Sequence, residues 1–329
     1  MQDHLPQYQL YTSEKDANQI INRDIERFWE NMAFGTVRTR DKKTLRWCKC
    51  IDANHSKSLL IINGRVESIE KYRELFFELF NQGYDIYSYD HRGQGLSSRL
   101  TSDPQMGYVD WFNDYTDDLH CIIQHFNFNE HSDVAILAHS MGGAIALRYL
   151  QSYPSIFKAL ILTSPMLGFT MPWYLRPVAM FYAQIRSGLS SIPKYVKGYG
   201  PYTNTPFNSN PLSHSQTRYQ CYRRLYLKKP ELQLGGPSYR WVWQSLMAVK
   251  QCYLMTRQID LPVLVMQAGN DLIVDNSAQD RFFSKLKRTN PKARLTVIKE
   301  AYHELFFESD KYRDQALAKT LDFLQQHMK

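Results

Sequence analysis

The sequence predicts an α/β protein: a mostly parallel sheet flanked by helices, opened by a hairpin and interrupted once by a long insertion. Three observations carry this. From residue 58 onward, short apolar runs alternate with helical stretches, as buried parallel strands joined by crossover helices require. The alternation stops between about 167 and 256 and then resumes. Before residue 58 the pattern is a helix followed by two alternating strands around a polar turn.

The elements follow in order. Residues 13–33 place Ile20, Ile21, Ile25, Phe28 and Trp29 near helical spacing. Residues 34–40 and 44–51 alternate about the polar Asp41–Lys43 turn and predict a β-hairpin. The run 58–63 is apolar throughout and predicts a strand covered on both faces. Helix is then expected over 68–81, strand over 84–89, helix over 112–127, strand over 134–138, helix over 141–152 and strand over 159–163. After the insertion come a strand at 262–267, a helix near 277–288, a strand at 294–299 and a helix from about 310. The insertion holds eight prolines, from Pro172 to Pro237, and many Tyr, Trp and Met. Because the sheet resumes after it, 167–256 reads as a cap over one end of a core formed by 1–166 and 257–329, with the helix and hairpin in 1–57.

Composition narrows the function classes. The chain has 329 residues, 43% hydrophobic and 14% aromatic, enough for a sizeable core. The first residues lack a basic segment followed by an apolar one, and no run of about 18 apolar residues occurs. An intracellular protein, soluble or bound to a membrane surface, is expected. Five cysteines, an odd number, argue against a disulfide framework. Cys48 and Cys50 share a strand face, and no second ligand pair stands at zinc spacing. Lys and Arg outnumber Asp and Glu, 40 against 32. Such a balance attracts anions, but no nucleic-acid motif accompanies it.

The chemistry centres on Ala138–Gly143 (AHSMGG), between a buried strand and a helix. A serine in a sharp strand-to-helix turn, flanked by small residues, is a nucleophile elbow. Ala138 stands where that turn usually has Gly, which leaves it possible but more crowded. A serine hydroxyl needs a base, and the base needs an orienting acid, in the chain order Ser, acid, His. His303 follows the last strand and is the candidate base; His214 falls in the cap and His327 near the end of the last helix. Asp271 and Asp275 both follow the strand ending at Gln267. Asp271 lies nearer the strand end and is the candidate acid, while Asp275 suits a helix cap. The oxyanion needs N–H donors: Met141, directly after the serine, and Arg65, in the loop after the first buried strand. The Arg65 and Glu67 side chains are expected to shape that loop or to pair with each other. Asp90–Ser97 (DHRGQGLS) reads as a tight structural loop beside the site, since its glycines lack a nucleotide fingerprint.

Together these pieces resemble the bacterial lysophospholipases of the monoglyceride-lipase-like branch of the α/β-hydrolases. The resemblance is carried by Asn63–Ser68 (NGRVES) with Lys71 and Tyr72, Asp90–Ser97, Phe112–Tyr115 (FNDY), Ala138–Gly143, Gly235–Pro237 and Ala301–Glu304 (AYHE). It implies the α/β-hydrolase fold and hydrolysis of 2-lysophospholipids without a cofactor or metal. It also implies residence at the cytoplasmic face of an inner membrane. For such a substrate, Phe169, Trp173 and Met180 in the cap are candidates to line an acyl-chain tunnel. The stretch from Arg218 to Lys229 sets Arg218, Arg223, Arg224, Lys228 and Lys229 among apolar residues. It is a candidate to meet the substrate phosphate or an anionic membrane, Arg223 and Arg224 foremost.

Overall fold

The structure is a computed structural model that describes residues 12–14, 20–129, 132–170, 176–188 and 192–328. An eight-stranded sheet runs in the order β1-β2-β4-β3-β5-β6-β7-β8. β1 (Ala33–Arg38) and β2 (Thr44–Cys50) form the expected hairpin, with Val37 opposite Leu45. β2 then joins β4 (Tyr84–Tyr89) antiparallel. The other strands, β3 (Lys57–Ile62), β5 (Val134–His139), β6 (Leu160–Thr163), β7 (Val263–Ala268) and β8 (Arg294–Ile298), are all parallel with β4. Cys48 and Cys50 are buried free thiols in β2.

The continuous apolar runs reflect burial on both faces of the sheet. In β3, Leu60 and Ile62 join one core while Leu59 and Ile61 join the other. β5 divides the same way, with Ile136 and Ala138 on one side and Ala135 and Leu137 on the opposite. α3 (Asn113–His125), α4 (Met141–Ser152) and α8 (Asn276–Lys287) cover the first face; α1 (Ile20–Glu30), α2 (Arg73–Asn81) and α9 (Asp310–His327) cover the second. The helix expected over 68–81 begins instead as a short 3-10 turn, Ile69–Tyr72, before α2. Most other elements fall within a residue or two of their expected bounds; of the helix expected from 13, residues 13 and 14 are not helical, 15–19 lie outside the described residues, and α1 runs from Ile20 to Glu30.

Between β6 and β7 lie α5 (Arg176–Gly188), α6 (Gln216–Lys228) and α7 (Tyr239–Leu254). α7 packs against α4 and gives Trp241, Ala248 and Cys252 to the first core. Tyr219, Tyr222 and Tyr226 of α6 form a smaller cluster with Leu232. Among the described residues no helix is long and apolar enough to cross a membrane.

Candidate active site

Four loops at the carboxyl ends of β3, β5, β7 and β8 build the site, the end at which ligands gather in open α/β sheets. Ser140 joins β5 to α4 with φ 49° and ψ −115°. A non-glycine residue keeps such strain only where its surroundings over-determine it. Here they do: Ser140 N–H donates to the Thr163 carbonyl at 3.0 Å, and its own carbonyl accepts Gly143 N–H at 3.0 Å and Met166 N–H at 2.9 Å. The approach of α4 to β3 demands Gly142, since a Cβ there would stand 2.4 Å from the Ile62 carbonyl oxygen. Ala138 is fully buried and paired with Ile62 and Leu162, so its methyl fits inside the sheet.

His303 Nε2 lies 3.0 Å from Ser140 Oγ, and His303 Nδ1 lies 2.7 Å from Asp271 Oδ2. Burial works against the Asp271 charge, but the His303 contact and the N–H groups of Val274 and Ile273 outweigh it and hold its pKa below the usual value. An ionised Asp271 only accepts, so the proton sits on Nδ1 and the Nε2 lone pair faces the Ser140 hydroxyl. Asp275 is turned elsewhere: its Oδ1 accepts Ser277 N–H at 3.0 Å and caps α8. Burial pushes His139, beside Ser140, down to about 4, so it is neutral and its Nδ1–H can reach the Thr163 carbonyl at 3.1 Å.

The loop after β3 closes on Ser140 from the other side. A Cβ on Gly64 would stand 3.3 Å from Ser140 Cβ, so only glycine fits easily. The Arg65 and Met141 N–H groups have no acceptor among the described residues, and Met141 opens α4, where the helix dipole favours negative charge. Several contacts pin the loop. Glu67 accepts Gly64 N–H at 2.5 Å, and Gln94 Nε2 donates to the Gly64 and Glu67 carbonyls at 2.7 and 2.9 Å. Val66 is β-branched yet has φ 64°, a second point of backbone strain at the site.

The Arg65 and Glu67 side chains do not pair. Glu67 instead meets Lys71 and Tyr72, each at 2.7 Å, and Arg65 reaches the Gly235 carbonyl at 2.6 Å. Lys71 also bonds Glu304 at 2.7 Å, tying the β3 loop to the residue after His303. Ser164 Oγ–H donates to the His303 carbonyl at 2.8 Å and fixes that loop from β6. Sequence reasoning did not single out Gln94, Ser164 or Glu304; adjacency to His303 was the available signal for Glu304. Asp90 and His91 are fully buried, Asp90 accepting Ile69 and Leu96 N–H groups and His91 Nε2 lying 3.0 Å from the Asn63 carbonyl.

The remaining candidates lie apart from this cluster or outside it. Phe169 bridges to Val274 and packs toward Trp241. It also lines an apolar cavity of about 360 Å³ with Leu167, Leu246, Val249 and Tyr253. Met180 is half-buried on α5, and Trp173 lies outside the described residues. Arg223 is held by Tyr202 and Tyr219 at 3.1 and 2.9 Å, while Arg224 is exposed. Of the other cations between 218 and 229, Arg218 pairs with Glu74 and Asp310, and Lys229 with Glu70. His214 bonds Glu308 at 2.8 Å, and His327 packs on Phe323.

An eight-stranded, mostly parallel sheet with a strained serine at the β5–α4 turn and a histidine and aspartate facing it defines an α/β-hydrolase. The chain belongs to the family described as serine aminopeptidase, S33, whose profile matches residues 53–310. It is 37% identical over 308 residues to lysophospholipase L2 of Escherichia coli K12, spanning 91% of this chain and 89% of that protein. It is 36% identical to a probable lysophospholipase L2 of Haemophilus influenzae over 269 residues, 82% of this chain and 83% of that one. Among solved structures, a soluble variant of Saccharomyces cerevisiae monoglyceride lipase superposes with a TM-score of 0.70. That match covers 90% of this chain and 95% of the other at 19% identity, a likeness of fold. The protein is a serine hydrolase of carboxylic esters.

Proposed function

We propose that the protein cleaves the acyl ester of lysophospholipids, releasing a fatty acid and a glycerophospho-alcohol. The observation that carries this reading is the 37% identity, over nine-tenths of the chain, to an enzyme named lysophospholipase L2. In this mechanism Ser140 Oγ attacks the acyl carbon as His303 Nε2 takes its proton. The N–H groups of Met141 and Arg65 hold the oxyanion. Collapse expels the glycerol oxygen, which recovers the proton from His303, and water activated by His303 then hydrolyses the acyl-enzyme. Asp271 keeps the His303 tautomer and offsets the imidazolium charge. No cofactor enters these steps. Residues 167–256 act as a cap, and the acyl chain runs into the cavity walled by Leu167 and Phe169. That wall begins one residue after Met166, which bonds the Ser140 carbonyl.

The same reading places the protein against an anionic bilayer on the cytoplasmic side. Val178, Phe181, Tyr182 and Ile185 form an exposed apolar row on α5, at helical spacing. A formal charge of +8 favours an anionic surface for that row. On α6 Arg224 and Lys228 are the exposed cations that have no ion pair among the described residues, so α5 is the better face. Flotation with phosphatidylglycerol vesicles is expected to lose most binding in a Phe181→Asp, Ile185→Asp variant; undiminished binding would refute this face.

The reading of substrate is tested by rates on lysophosphatidylethanolamine, a monoacylglycerol of the same chain, and a short nitrophenyl ester. Wild type is expected to prefer the first, and Ser140→Ala to lose all three. Preference for the monoacylglycerol would assign a lipase of neutral lipids instead.

A further inference from the structure

Arg65 carries a charge that the described residues leave without a carboxylate partner. Most of the buried cations are matched among the described residues: Lys71 by Glu67 and Glu304, Arg92 by Asp41, Asp114 and Asp118, Arg218 by Glu74 and Asp310, Arg313 by Glu74 and Glu78; Arg148 instead meets Gln151 Oε1 and Met255 Sδ. Arg65 Nη2 donates to the Gly235 carbonyl, and its guanidinium carbon lies 5.0 Å over the Trp241 ring. Its Nε is buried with no acceptor among the described residues. The titratable groups that bear on it are the phenols of Tyr115, Tyr199 and Tyr195, which are neutral at neutral pH. Burial pushes the guanidinium down to about 10, so it stays cationic at neutral pH. Burying a cation without an anion is costly, and a retained one marks a place where an anion is expected.

The surroundings keep this cation in place without needing it. A Cβ on Gly107 would stand 2.5 Å from Nη2, so the glycine leaves the room that the guanidinium fills. The Gly235–Ser238 loop is already tied to the 105–107 loop by three backbone bonds: Gly235 N–H to Gln105, Gly107 N–H to Gly236, and Ser238 N–H to Gly107. With its carbon over the Trp241 ring and one Nη2 proton on the Gly235 carbonyl, the guanidinium keeps its remaining N–H donors for an oxyanion. Arg65 is half-buried rather than sealed.

We infer that the Arg65 guanidinium binds the phosphate of the substrate head group while its own backbone N–H faces the acyl oxyanion. This rests on the lysophospholipid reading and gives it a specificity determinant. The reach agrees: as many bonds separate the Arg65 amide nitrogen from its guanidinium carbon as separate the acyl carbon of a 1-acyl lysophospholipid from phosphorus. One residue thus spans the two oxygen groups that distinguish this substrate. A monoacylglycerol offers only the first.

The test compares kcat/KM on lysophosphatidylethanolamine and on a monoacylglycerol of the same chain, for wild type, Arg65→Lys and Arg65→Gln. Losing charge-assisted hydrogen bonds to phosphate is expected to lower the ratio by about tenfold to a hundredfold in Arg65→Gln, mainly through KM. Arg65→Lys should fall between, since it keeps charge but loses the fork. An unchanged ratio, or an equal loss on both substrates, overturns the inference. A second arm uses glycerol 3-phosphate and inorganic phosphate as inhibitors of nitrophenyl ester hydrolysis. Glycerol 3-phosphate should inhibit wild type and act at least about tenfold more weakly on Arg65→Gln. Equal inhibition of the two enzymes refutes the phosphate site, and inorganic phosphate matching glycerol 3-phosphate refutes its assignment to the head group. A wild type inactive on lysophosphatidylethanolamine would remove the substrate reading alone, because the inhibition arm still decides the role of Arg65.

Discussion

Replacing Gly142 by Ala adds one methyl group at the point where α4 meets the sheet. The new Cβ would lie 2.4 Å from the Ile62 carbonyl oxygen and 2.5 Å from that of Asn63, where ordinary contact begins near 3.4 Å. Both oxygens belong to backbone, and β3 is paired on both sides by β4 and β5, so it cannot give way. The start of α4 must therefore withdraw by about 1 Å, taking Ser140 Oγ and the Met141 N–H with it. Alanine's better helix propensity returns about 1 kcal/mol. Overpacking costs about 1–3 kcal/mol in sites that can adjust, and this one adjusts poorly. A net loss of about 1–2 kcal/mol in urea unfolding is expected. A displacement of about 1 Å at the reacting atom should cost about a hundredfold in kcat/KM on a nitrophenyl ester. A variant within twofold of wild type in activity, with undiminished stability, would refute this account of the elbow.

Asp271→Asn keeps the shape but offers an amide N–H to His303 Nδ1, favouring the tautomer whose Nε2 cannot accept the serine proton; kcat should fall by roughly 10⁴-fold. Activity within tenfold of wild type would show that Asp271 does not orient His303. A pH effect attaches to His91, which burial holds neutral down to about 4. Between about 6.5 and 4 the unfolded chain binds a proton there that the folded chain refuses, so this group makes stability fall with falling pH. Asp90, raised by burial to about 7, acts in the opposite sense. The difference between wild type and His91→Gln isolates the histidine. In urea unfolding the variant should gain on wild type as pH drops from about 6.5 toward 4, and a difference independent of pH would contradict it.

The parts of the fold that were legible in the sequence are those governed by local pattern. Leu59 to Ile62 and Val134 to Ala138 announce their strands because both faces are buried. The 3-10 turn at Ile69–Tyr72 was not legible. Its residues are buried by contacts from distant elements, Lys71 with Glu304 and Tyr72 with Phe307. Chain order and loop position singled out Ser140, Asp271 and His303, and these three meet in space. Long-range partners escaped. Glu67 is met locally by Lys71 and Tyr72, which frees Arg65 to reach Gly235, 170 residues away. The cations from Arg218 to Lys229 read as a free basic face because Glu74, Asp310 and Glu70, which take up Arg218 and Lys229, are remote in sequence.

The most direct test of the central claim is to treat the folded protein with a fluorophosphonate and map the adduct by peptide mass spectrometry. A single adduct on Ser140, with hydrolysis lost in proportion and labelling abolished in Ser140→Ala, is the predicted result. No adduct, or an adduct elsewhere with activity lost, would contradict the assignment of Ser140 as the nucleophile.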